Sequence, residues 1–170
     1  MRVVFLDIDG VLNYTKWYID DRNPGNLYGQ EGDIDPLCIE RVMKICNLTN
    51  AKVVVSSDWR IDWKGTRKRL SRMGLDENYV IDKTPEFIWN NLSDPEYLEE
   101  DWDRTYKYTR GAEIDEWLKH NEIENYVILD DRTDFTKEQH GHFVHIDPYE
   151  GLTDEDTIKS IEILTGNINI

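Results

Sequence analysis

The sequence predicts an α/β fold built on a mainly parallel central sheet. Short apolar runs alternate with segments of helical spacing, which is the pattern of βαβ units. The three strongest runs end in Asp7, Ser56 and Asp130, as though several strands deliver polar groups to one edge. In open α/β sheets ligands bind beyond the carboxyl ends of the strands, so these termini point to one site. The length of 170 residues fits one domain, since domains typically run to ~100–200 residues.

Each element has its own warrant. Arg2–Asp7 reads as a buried strand through the unbroken run Val3-Val4-Phe5-Leu6. Residues 13–34 are polar, aromatic and without period, and read as a flap. Asp35-Pro36 is a helix start, with Asp as N-cap and Pro in the first turn. Leu37, Ile39, Val42, Met43, Ile45 and Cys46 then follow at helical spacing. Lys52–Ser56 is a second buried strand, around Val53-Val54-Val55. Lys64–Arg72 is a helix with a basic face, stopped near Gly74. Tyr79–Ile81 is a short strand, and residues 88–109, rich in Trp, Tyr and acid, are an inserted excursion. Ala112–His120 is a helix with Ile114, Trp117 and Leu118 on one face, and Arg110 lies just before it. Tyr126–Leu129 and Phe143–Ile146 are strands. Thr153-Asp154-Glu155-Asp156 resembles a capping box before Ile158, Ile161, Ile163 and Leu164, and Gly166 marks the stop. No repeat or low-complexity tract interrupts this order, so residues 1–170 read as a single domain.

Composition excludes several function classes. No apolar run approaches the ~18 residues of a membrane span. The N-terminal run is too short for a signal peptide, so the expectation is a cytoplasmic protein. Cys38 and Cys46 on one helix would stand ~12 Å apart, too far for a disulfide, as suits a reducing compartment. The 35 acidic and 20 basic residues give a net charge of −15. Such a field repels polyanions and attracts cations, which argues against a broad grip on duplex DNA. A small phosphorylated substrate or a single nucleic-acid end stays open where cations concentrate locally.

Four motifs carry chemistry. Asp7-Ile8-Asp9-Gly10-Val11 places two acids where a buried strand ends, and Gly10 lets the chain turn sharply. Neighbouring carboxylates raise each other's pKa unless a cation neutralises them, and a hard cation such as Mg²⁺ suits oxygen ligands. Tyr126-Val127-Ile128-Leu129 ends likewise in Asp130-Asp131-Arg132, which could complete that metal site. Ser56 ends the Val53–Val55 run, where its hydroxyl could donate to a phosphate oxygen; Ser57 is the alternative. Arg110, before a helix, could bridge a phosphate and the Asp7 carboxylate. His140, His142 and His145 alternate as a strand would and have no cysteine nearby, so a zinc site is not expected.

In order and spacing, Asp7/Asp9, Ser56, Arg110 and Asp130/Asp131 resemble the haloacid dehalogenase-like (HAD) phosphohydrolase superfamily. The resemblance runs from residue 2 to about residue 165 and implies a Rossmann-like three-layer sandwich. Phe5–Asn13, Ser56-Ser57-Asp58-Trp59-Arg60, Arg110–Leu118 and Asp130-Asp131-Arg132 are similar to the HAD domains of RNA-repair proteins. The 3′-phosphatase half of phage polynucleotide kinase-phosphatase carries a similar Asp-Asp-Arg. The kinase half has no counterpart, because no Gly-x-x-x-x-Gly-Lys-Ser/Thr occurs.

The resemblance implies Asp7 as nucleophile forming an aspartyl-phosphate, and Asp9 as general acid and then general base. It implies Mg²⁺ held by Asp7, the Asp9 backbone carbonyl and one of Asp130 or Asp131, with Asp131 preferred as direct ligand. Ser56 and Arg110 would hold the phosphoryl oxygens. The gap from Gly10 to Ser56 leaves room for a flap but no full cap, which suits macromolecular ends or bulky substrates. Residues 60–72 hold six basic residues against Asp62 alone, so Arg60 and Arg67 are candidate contacts to a polyanionic strand. Trp59, Trp63, Tyr14, Trp17 and Tyr18 are candidates to stack on a base. The six acids of residues 94–103 should face away from a phosphate chain, or favour a mononucleotide. The expected function is therefore Mg²⁺-dependent phosphomonoester hydrolysis on nucleic-acid 3′-phosphate ends or nucleotides. The alternatives are a sugar-phosphate phosphatase and a catalytically idle binding module.

Overall fold

The computed structural model describes residues 1–23, 33–86 and 109–166. Their elements run β1 (Arg2–Leu6), α1 (Thr15–Tyr18), α2 (Pro36–Thr49), β2 (Ala51–Val55), α3 (Trp63–Arg72), β3 (Val80–Lys83), α4 (Arg110–Lys119), β4 (Asn125–Asp130), β5 (Phe143–His145) and α5 (Asp154–Thr165). Short 3₁₀ turns at Asp58–Asp62 and His140–His142 precede α3 and β5. The strand order is β3-β2-β1-β4-β5, and every pairing is parallel. The chain thus builds outward from β1 first on one side and then on the other. That reversal opens a crevice at the carboxyl end of β1, between its neighbours β2 and β4.

Burial on both faces explains the apolar strands. Val4, Leu6, Val53, Val55, Val127 and Leu129 face a core shared with α2, α3 and α5. Their alternates Val3, Phe5, Val54 and Ile128 face Ile114 and Trp117 of α4. Strand side chains alternate between faces, so a sheet covered on both sides needs continuous apolar runs rather than alternating ones. The result is a three-layer α/β sandwich.

The helix ends follow their sequence signals. Asp35 caps α2 by accepting from the Leu37 N–H, with Pro36 in the first turn. Thr153 and Asp156 form the reciprocal capping box of α5, and Gly166 closes that helix in the left-handed region at φ 71°. Arg41 joins the two helices, donating to Asp154 and to the Leu152 carbonyl. Cys38 and Cys46 are buried, unbridged thiols, both pushed up to about 12 by burial.

The structure shifts some sequence expectations. Arg110 is the first residue of α4 rather than a residue ahead of it, because Thr109 is the N-cap and accepts from the Ala112 N–H. The 13–34 segment contains α1, whose Trp17 is buried in the core. The remainder of that segment, residues 24–32, lies outside the described residues, as do residues 88–108 of the excursion and the acids of 94–103. Among the described residues, no helix is long and apolar enough to cross a membrane.

Candidate active site

The carboxyl ends of the three central strands wall a cavity of about 330 Å³. Asp7 follows β1, Ser57 and Asp58 follow β2, and Asp131 and Arg132 follow β4. Asp9, Gly10, Asn13, Tyr14, Thr15, Tyr18, Arg110 and Pro148 complete its lining. Register is what brings them together: Leu6 pairs with both Val55 and Leu129, so the next residues of all three strands emerge side by side.

Asp7, Asp130 and Asp131 form an acidic cluster. Each offers a carboxylate oxygen within 4.8 Å of the others. Burial pushes the Asp7 carboxyl up to about 6, against the pull of Arg110 and hydrogen bonds from Ser57 and the Ile8 N–H. Asp130 is fully buried. Burial, and then repulsion from Asp7, push it up to about 8. One of its oxygens accepts from the Arg132 N–H at 2.8 Å, while the other is buried with no hydrogen-bond partner among the described residues. Crowded, partly unsatisfied carboxylates of this kind fit a hard divalent cation.

Arg110 supplies the counter-charge. Its guanidinium lies 3.9 Å from Asp7, 3.7 Å from Asp130 and 3.8 Å from Asp58, and it donates to the Ser56 carbonyl. Asp134 fixes the helix start by accepting from the Arg110 N–H at 3.0 Å and binding the Arg132 side chain. Gly111 allows this docking, because a Cβ there would stand 2.6 Å from the Gln139 amide oxygen.

The two serines separate. Ser57 lines the cavity and bonds Asp7, whereas Ser56 is outside the lining and its buried hydroxyl has no partner among the described residues. Consecutive residues leaving a strand point to opposite sides, so one step along the chain decides which hydroxyl meets the site. Asp9 is gripped from two directions. Asn13 donates to one of its oxygens at 2.7 Å, and the Trp59 indole donates to the other at 3.0 Å.

Several predicted contacts are placed elsewhere. Arg60 is buried and forms an ion pair with Glu113 at 2.5 Å, so it is not a free contact at the cavity. Its side chain satisfies a buried carboxylate, and removing either partner of such a pair typically costs about 3–5 kcal/mol. Arg67 is outside the lining and lies over the Trp63 ring. Trp59 packs against the core, and Tyr14 is buried with its hydroxyl on Asp35. Of the aromatic candidates in the flap, Tyr14 and Tyr18 reach the cavity. Sequence reasoning assigned no role to Asn13 or Asp58. The polar side chain four residues after Asp9, and the acid directly after the serine pair, were the available signals.

Gly10 is needed for steric reasons. Its φ is +78°, and a Cβ there would stand 2.6 Å from an Asp131 carboxylate oxygen. Gly10→Ala should therefore lower stability by about 1–3 kcal/mol and displace Asp131, weakening divalent-cation binding. Thermal melts and a calorimetric Mg²⁺ titration check this; wild-type values in both would contradict it.

A doubly covered parallel sheet with paired acids at its switch point defines a Rossmann-like α/β domain of the HAD type. The comparison with known families agrees. The family described as "HAD domain in Swiss Army Knife RNA repair proteins" matches residues 3–157, and the chain belongs to it. No curated protein and no solved structure gives a significant match.

Proposed function

We propose that this chain is a Mg²⁺-dependent phosphomonoesterase that removes terminal phosphates from nucleic-acid ends, in particular 3′-phosphates. The observation that carries the reading is the convergence of Asp7, Asp131, Arg110 and Ser57 on one cavity, with a carboxylate oxygen of the buried Asp130 within 4.8 Å of those of Asp7 and Asp131. Family membership supports it through that family's association with RNA repair.

Asp7 is the nucleophile in this reading. Its carboxylate oxygen bonds phosphorus as the bond to the leaving oxygen breaks, giving an aspartyl-phosphate. Asp9 donates a proton to the departing oxygen, then takes one from the water that releases phosphate. Arg110 and Ser57 hold the phosphoryl oxygens, with Ser57 preferred over Ser56 because it faces the cavity. Mg²⁺ would be held by Asp7, Asp131 and the Asp9 carbonyl, with Asp130 behind them. When bound it offsets repulsion between the phosphate and the carboxylates.

The outer face of α3 supports a nucleic-acid substrate. Lys64, Lys68 and Arg72 are exposed, and Arg67 lies beside them, while Thr66 and Leu70 are buried on the opposite side. The helix follows Ser57 and Asp58 of the cavity through one 3₁₀ turn. In a protein of charge −15, this is where a phosphate backbone would be tolerated.

The test is phosphate release with Mg²⁺ from 3′- and 5′-phosphorylated oligonucleotides, nucleotides, sugar phosphates and an aryl phosphate. Strongest release from the 3′-phosphorylated oligonucleotide is expected. Preference for a sugar phosphate would replace the substrate class, and no release from any would favour an idle binding module. Replacing Lys64, Arg67 and Lys68 together by Ser should raise KM for the oligonucleotide about tenfold at low salt and spare the aryl phosphate. Equal loss on both substrates would remove α3 from substrate binding.

A further inference from the structure

Each carboxylate oxygen of Asp9 accepts a hydrogen bond from a different side chain, Asn13 on one and Trp59 on the other. The Trp59 indole is a donor only, so its bond to Asp9 can serve only to hold an acceptor oxygen. Asn13 is nearly fully buried, and its amide is oriented at both ends. Its oxygen accepts from the Gly10 N–H at 3.0 Å, and its nitrogen donates to Asp9.

The indole is itself held firmly. The Trp59 ring packs against the core, and its carbonyl accepts from the Thr66 hydroxyl at 2.7 Å. The Arg69 guanidinium sits 5.0 Å over the ring and bonds the buried Asp33 at 3.2 Å. A Phe at position 59 would keep an aromatic ring against the core but bring no N–H, so packing by itself does not require the donor aimed at Asp9. Each Asp9 oxygen keeps a second lone pair beyond these bonds, which leaves a direction open toward the cavity.

We infer that Trp59 and Asn13 are positioning residues that fix the direction in which Asp9 delivers and recovers its proton. This rests on the phosphatase reading above. As the bond from phosphorus to the leaving oxygen breaks, the Asp9 proton passes to that oxygen, and Asp9 remains as a carboxylate held by the indole and the amide. When water attacks the aspartyl-phosphate, its proton returns to Asp9, the Asp7 carboxylate is regenerated and inorganic phosphate leaves. Proton delivery matters most when the leaving oxygen is a poor one, as in an alkoxide, and least when it is an electron-poor phenolate.

The experiment compares wild type, Asp9→Asn and Trp59→Phe on an alkyl phosphate and a nitrophenyl phosphate. Trp59→Phe should lower kcat on the alkyl phosphate by about 10–100-fold, leave KM within about threefold, and lower kcat on the nitrophenyl ester far less. Equal losses on both esters would show a merely structural role and overturn the inference. If Asp9→Asn discriminates between the esters and Trp59→Phe does not, the positioning role fails while the phosphatase reading stands. If neither ester releases phosphate in wild type, the phosphatase reading fails and the inference falls with it. A second readout needs no turnover: the Trp59 indole N–H resonance, assigned by its loss in Trp59→Phe, should shift and exchange faster in Asp9→Ala. An unmoved resonance overturns the inference whatever the kinetics show.

Discussion

Asp7→Asn should reduce phosphate release by at least about 10³-fold while making the metal-free protein more stable. The carboxamide is nearly the same size but has no anionic oxygen to bond phosphorus, so the first step is lost. The stability gain has a separate cause. Asp7 is buried beside Asp130 and Asp131, and its carboxyl is raised because burial outweighs the attraction of Arg110. A neutral amide escapes the penalty of holding a buried charge, and its one carbonyl oxygen can still accept a hydrogen bond. Phosphate assays and thermal melts in chelator check the two halves independently. Wild-type release from Asp7→Asn would remove Asp7 as nucleophile, and a lower melting temperature would show that its charge is already compensated.

In chelator, the melting temperature should fall as pH rises from about 4 to about 8, and Mg²⁺ should restore it. Asp7 and Asp130 have folded pKa values of about 6 and about 8, above the ordinary 3.8. Below about pH 4 both are protonated in the folded and the unfolded chain, and neither costs stability. Through the window above that, the unfolded chain releases their protons first, so the folded state loses stability until pH passes the folded values. Holding either group ionised in the folded state costs stability, so this pair contributes to the falling slope. A divalent cation binding only the folded state adds about 2.7 kcal/mol when present at 100 times its dissociation constant. The overall charge of −15 also lowers stability at high pH, so the specific test is Asp130→Asn. That variant should flatten the slope and reduce the Mg²⁺ response. An unchanged slope would assign the effect to general repulsion instead.

Much of the fold was legible because its signals are local. The Val3–Leu6, Val53–Val55 and Val127–Leu129 runs are buried on both sheet faces, and continuous apolar strands announce that situation directly. Asp35-Pro36 and Thr153 through Asp156 state their caps within four residues. The acids at Asp7 and Asp130 were conspicuous because charge at the end of a buried strand has little value for stability.

What escaped the sequence depends on direction and on distant partners. Ser56 and Ser57 are equivalent as letters, and only the path of the chain leaving β2 turns Ser57 toward Asp7. Arg60 reads as one more cation of a basic stretch until Glu113, fifty-three positions away, is seen to hold it inside. Trp59 reads as a stacking surface until its indole is found on Asp9, fifty positions away. The sequence by itself determined the α/β class, the strand termini and the kinds of chemical group collected there, since periodicity and capping act over a few residues. Only the tertiary structure decided which groups face the cavity and which neutralise one another. The parallel register of β1 with β2 and β4 sets those distances, and pairings between residues so far apart in the chain leave no trace in local pattern.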